Sequence, residues 1–80
     1  MRLDKYLKVS RIIKRRTIAN EACDSGRVSV NGNVAKASYD VKVGDVLELR
    51  FGEKITKFEV LNVLEHAPKD AASELYRVIQ

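Results

Sequence analysis

Seven side chains near the start of this 80-residue chain could carry positive charge to a partner: Arg2, Lys5, Lys8, Arg11, Lys14, Arg15 and Arg16. A single acid, Asp4, lies among them, so the opening 16 residues carry +6. The remaining 64 residues hold eight bases and ten acids and carry −2, an asymmetry that the formal net charge of +4 hides. Charge concentrated in this way points to a polyanion, nucleic acid first, rather than to a generally basic surface. A helix face that is merely solvated usually intersperses acids at i,i+4 to offset repulsion, and this run has almost none. The arginines should contribute more than the lysines, because a guanidinium binds phosphate bidentately and stacks on bases. Asp4 is expected to be an internal partner that fixes a neighbouring base.

Other chemistry finds little support. The chain has one His and one Cys, too few ligands for a structural zinc site, and no phosphate-cradling glycine loop or close carboxylate pair flanked by apolar residues. His66 reads as a surface polar residue and Cys23 as a small buried hydrophobe, consistent with a reducing cytoplasm. No run of 18 apolar residues could span a membrane, and the basic opening lacks the apolar stretch of a signal peptide. These features describe a cytoplasmic binding protein with no cofactor and no enzymatic activity.

The elements that must position the bases follow from periodicity. On a helix, Leu3, Tyr6, Leu7, Ser10 and Ile13 share one arc, with Val9 at its edge, while Lys8, Arg11 and Arg15 lie on another side. Lys14 rotates back toward the apolar arc, so the helix should end about there. A second, shorter helix is expected with Ile18, Ala19, Ala22 and Cys23 as its apolar stripe and Asn20, Glu21 and Asp24 in water. Thr17 lies near its cap position and Gly26 at its stop. Arg27 to Val30 alternates as a strand into Asn31-Gly32, a strong hairpin signal. Val46 to Phe51 alternates with Leu47, Leu49 and Phe51 inward, and after a turn at Gly52 a longer strand is expected over 55–64. A closing helix from Pro68 through Tyr76 should follow, with Val78 and Ile79 returning to the sheet edge.

Four segments, in order, resemble a known family. Arg2-Leu3-Asp4-Lys5-Tyr6-Leu7, then Arg16-Thr17-x-Ala19, then Gly26-Arg27-Val28-Ser29-Val30-Asn31-Gly32, and finally Val43-Gly44-Asp45 before a strand look like the S-four RNA-binding domain over residues 1 to about 51. The resemblance implies an α+β fold of the alpha-L type: two N-terminal helices on a small twisted antiparallel sheet, with a short C-terminal helix. Residues 1–80 are expected to form one domain, the core motif at 1–51 and a hairpin strand and helix at 52–80. The candidate RNA-binding set is Arg2, Lys5, Lys8, Arg11, Lys14, Arg15, Arg16 and Thr17. The framework set is Leu3, Asp4, Leu7, Ala19, Gly26, Val28, Val30, Asn31, Gly32, Gly44 and Asp45. Arg15 stands where the family usually has a small residue, so helix two should lose its cap and gain a phosphate ligand.

The opening Met1 to Arg11 and the run Ile13 to Thr17 are also similar to small ribosome-associated quality-control factors of Gram-positive bacteria. That likeness implies binding to large-subunit rRNA and P-site tRNA, in support of an RqcH-type factor that adds a C-terminal alanine tail to stalled chains. Alternatives are a heat-shock-type recycling factor for blocked large subunits, an RNA-binding regulator of a modifying enzyme, and a membrane-surface or protein-docking module. No catalytic domain of the kind often joined to S-four domains is expected within these 80 residues.

Overall fold

The computed structural model describes residues 1–79. The first helix, α1 (Leu3–Val9), begins without a side-chain cap. Its free N–H groups are taken up by the 37–40 loop instead, Leu3 donating to the Tyr39 carbonyl at 2.8 Å and Asp4 to that of Ala37 at 3.2 Å. Arg2 and Asp40 form an antiparallel bridge beside them, so the start of α1 is sewn to a distant loop. Leu3, Tyr6, Leu7, Ser10 and Ile13 are buried, as the apolar arc requires.

The helix ends a turn earlier than periodicity indicates. Arg11 adopts φ +63°, a left-handed conformation that cannot continue a right-handed helix. The Ile13 N–H then returns to the Leu7 carbonyl at 3.0 Å, so Ile13 is buried by a tight turn and not by helical phase. The second helix, α2 (Arg16–Asp24), packs Ala19, Ala22 and Cys23 into the interior. Ile18, expected on the same stripe, is 45% exposed, since it sits roughly 90° from the centre of the arc those three residues define. Gly26, at φ +84°, ends α2: its N–H bonds the Cys23 carbonyl and that of Arg27 bonds Ala22, a complete Schellman stop.

A two-residue turn joins β1 (Val28–Val30) to β2 (Asn33–Val34), with Asn31 at φ +52° and Gly32 at φ +88°, the pair of positive values a type I′ hairpin needs. Asn31 also braces the next strand, β3 (Val46–Phe51). Its Oδ1 accepts from the Val46 N–H at 2.9 Å and its amide donates to buried Asp45 at 3.1 Å. The Asp45 carboxylate further accepts from the Tyr39 hydroxyl at 3.0 Å and the Lys42 N–H at 2.9 Å. This one acid thus ties the hairpin, the 37–40 loop and β3 together.

With β4 (Lys54–Val60) and β5 (Tyr76–Val78), the strands form an antiparallel sheet in the order β2-β1-β3-β4-β5. Register places Val30, Leu47 and Phe58 in one buried row, which Val78 of β5 continues at the exposed edge, with Val28 opposite Leu49 and Val60 opposite Tyr76. The architecture is α+β, helices on one face of a small sheet. Three details depart from expectation. Phe51 is 47% exposed, because register pairs it with Lys54 at the hairpin end, beyond the reach of β1. Strand β4 stops at Val60, where the Leu61 and Asn62 N–H groups turn to the Leu75 carbonyl, leaving Leu61 and Leu64 exposed. The closing helix is a single turn, α3 (Lys69–Ala72), and Tyr76 belongs to β5, its ring meeting Phe58 edge-on at 5.3 Å. The Tyr6 hydroxyl donates to the Leu75 carbonyl at 2.6 Å, pinning this last segment to α1.

Candidate nucleic-acid interface

The centre of the basic region is an acid. Asp4 is 2% exposed, and its carboxylate gathers donors from both helices. One oxygen accepts from the Lys5 N–H at 2.8 Å and Arg2 Nε at 3.1 Å; the other from Asn20 at 3.2 Å and, at the limit of range, Arg16 Nε at 3.5 Å. Burial alone would raise the Asp4 pKa, but hydrogen bonds from Arg2, Asn20 and Arg16 together hold it below the ordinary carboxylate value. Asn20, expected in water, is drawn in by this contact. Because Arg2 and Arg16 keep about half their side-chain surface in solvent, 51% and 48%, the carboxylate fixes their direction without hiding them. Two guanidiniums sharing one carboxylate retain a net positive charge and free N–H groups, a preorganised fork for phosphate.

The other predicted bases divide into three groups. Lys8, Arg11 and Lys14 are exposed and line a groove of about 690 Å³ that runs beside the turn after α1. Arg15 occupies the N-cap of α2 in an extended conformation, φ −118° and ψ 133°, makes no side-chain capping bond, and is exposed. Thr17 is exposed in the first turn as the second helical residue, so it is not the cap. Lys5 has a partner of its own: its ammonium is paired with Glu65, an acid 60 residues later, and it is partly buried. That pairing holds Glu65 below the usual carboxylate range.

Two residues that the sequence did not single out for binding join this face. His66 and Lys69 line the same groove as Lys8, Arg11 and Lys14. No spacing rule could have located them, because the fold alone brings residues 66–69 beside residues 8–14. On the other side of the molecule, charges offset one another. Glu48 stands opposite Lys57 in the sheet register, and Arg77 Nε donates to Glu59 at 3.1 Å. Cys23 is buried in α2, and desolvation, followed by Asp4 and Asp24, pushes its thiol up to about 12, so it is no nucleophile near neutral pH. Among the described residues, no group of three or more His, Cys, Asp or Glu is placed to hold a metal ion. None of the described helices is long and apolar enough to cross a membrane.

Comparison with known proteins bears directly on this geometry. The S4 domain family matches residues 1–47. An "RQC P-site tRNA stabilizing factor" of Halalkalibacterium halodurans is 60% identical over 78 residues, covering 98% of this chain and 89% of that protein. A protein of the same name from Bacillus subtilis is 52% identical over 80 residues, all of this chain and 93% of its own. Among solved structures, the trimeric heat shock protein 15 of Vibrio cholerae superposes with a TM-score of 0.88 at 32% identity, over 98% of this chain and 80% of that one. With the matched segment holding the Asp4 cluster, both helices and the Asn31–Asp45 brace, this chain belongs to the S4 domain family and, within it, to the RQC P-site tRNA stabilizing factors.

Proposed function

We propose that this protein is a non-catalytic RNA-binding factor of ribosome-associated quality control, cytoplasmic, acting on large ribosomal subunits that carry a stalled nascent chain. It binds large-subunit rRNA and stabilises P-site tRNA, so that an RqcH-type factor can extend the chain with a C-terminal alanine tail. Residues 1–80 act as one domain. The names of the relatives supply the biological setting. The observation that carries the physical reading is the pair Arg2 and Arg16, one from the start of each helix, oriented by a single buried carboxylate while half exposed. Around it, Arg15 offers a further exposed charge, and Lys8, Arg11 and Lys14 extend the cationic face. An irregular or bent RNA backbone suits such a corner, whereas the deep A-form major groove does not admit side chains.

The test is co-sedimentation with large ribosomal subunits bearing peptidyl-tRNA. Arg16→Ala should lose binding by at least tenfold and keep its fold, because Arg2, Asn20 and the Lys5 N–H still satisfy Asp4. Undiminished sedimentation of that variant would count against the reading. The likeness to heat shock protein 15 favours one second reading, a recycling factor for blocked large subunits. The two separate on outcome: stabilisation predicts longer retention of P-site tRNA when the protein is added, and recycling predicts its earlier release.

A further inference from the structure

Resting on the RNA-binding reading, we propose that the groove between the turn after α1 and the 66–69 segment seats one nucleotide of an RNA strand, with Lys69 and His66 as additional ligands. Four bases line it, Lys8, Arg11, Lys14 and Lys69, and among the described residues no acid does. The acids that flank the segment in sequence are both out of the lining: Glu65 is paired with Lys5, and Asp70 lies in α3 beyond Lys69. Four cations without a counter-charge repel one another, and a polyanion laid among them relieves that repulsion. A volume of about 690 Å³ is within the range of sites that enclose a small organic group, more than a bare phosphate needs. Val9, Ala67 and Pro68 supply an apolar wall for a ribose or base, and the exposed His66 imidazole offers a ring to stack on and a nitrogen for a base edge or 2′-hydroxyl.

Arg11 gives a second, independent indication. Both N-terminal helices end on a left-handed residue, Gly26 after α2 and Arg11, at φ +63°, after α1. Glycine takes that conformation without strain and arginine does not. A side chain kept at such a position against backbone preference, and lining a cationic groove, is placed for binding and not for the turn. The groove also reaches beyond the segment matched by the S4 domain, since 66–69 lie outside residues 1–47.

The experiment measures, by fluorescence anisotropy over a range of potassium chloride concentrations, the affinity of the full chain for a labelled tRNA transcript and a labelled mixed-sequence single-stranded RNA. Arg11→Gly, Lys69→Gln and Arg16→Ala are compared with the unaltered protein. Each groove variant should weaken RNA binding roughly three- to tenfold and flatten the slope of log affinity against log salt by about 0.7–0.9, one phosphate contact. Arg11→Gly should do so with its thermal midpoint unchanged or raised, which a purely structural arginine would not do. If Lys69→Gln and Arg11→Gly leave affinity and slope unaltered while Arg16→Ala weakens binding, the groove is not an RNA seat and the corner reading stands. If all three bind as before, both readings fail. Displacement of the RNA from the groove by poly-glutamate at comparable charge concentration would assign it to acidic peptide and overturn the proposal.

Discussion

Asp4 shows how one residue can set both stability and the orientation of two half-exposed guanidiniums. Its carboxyl group titrates lower in the folded chain than the value near 4 expected in the unfolded one, because Arg2, Asn20 and Arg16 outweigh the burial penalty. The stabilisation it gives is therefore complete above about pH 5 and is lost as pH falls through the folded value. Asp4→Asn should cost about 1–2 kcal/mol at pH 7, moderated by the half-exposed guanidiniums, and the variant's stability should change less between pH 7 and pH 3. Denaturant unfolding at the two pH values checks both parts; a loss of equal size at pH 3 would contradict the sign. Cys23 offers a second check at this scale. With its thiol pushed to about 12 and its side chain buried, alkylation by iodoacetamide at pH 8 should be at least a hundredfold slower in the folded protein than in urea. The role of Asp4 as an internal partner was legible in the sequence, since one acid among seven bases has partners wherever it turns. The diversion of Lys5 to Glu65 was not, because that contact spans 60 residues and leaves no local pattern.

Elements whose signals are local read correctly from sequence, and those set by tertiary contact do not. The Asn31-Gly32 hairpin and the Gly26 stop each need only two or three residues of backbone chemistry, and both stand where expected. Gly26→Ala should destabilise the protein by about 1 kcal/mol, a conformational cost and not a steric one, as the added methyl would meet only Val34 Cγ1 at 4.0 Å. The end of α1 escaped the sequence because apolar phase continues through Ile13, while the actual stop is a left-handed arginine with no glycine or proline to announce it. The tail was misread for a related reason. Residues 69–76 have helical composition, but Tyr76 gains more by pairing with Val60 and meeting Phe58, and Leu75 is held by Tyr6. Tyr6→Phe should therefore lower stability by about 1 kcal/mol and raise amide exchange in β5 above that in β3, measurable by hydrogen exchange.

At the scale of the molecule, the chain divides its charge between two faces. The helix side gathers Arg2, Arg15 and Arg16 at the corner and Lys8, Arg11 and Lys14 along the groove, whereas the outer sheet face sets Glu48 against Lys57 and Glu59 against Arg77. The lopsided count of charge along the sequence thus becomes a lopsided surface, though only folding adds His66 and Lys69 to it. Neutralising five to seven phosphates should give a steep fall of log affinity with log salt, about −0.7 to −0.9 per contact. Arg50→Glu and Lys57→Glu, on the sheet side, should leave that slope unchanged. The most direct measurement is a reconstruction of the protein bound to a large ribosomal subunit carrying peptidyl-tRNA. It should place RNA phosphates within hydrogen-bond reach of Arg2 and Arg16, with Glu48 and Glu59 turned away from RNA. Density that set the sheet face against the RNA, or left both arginines without a nucleic-acid neighbour, would contradict the assignment of the binding face.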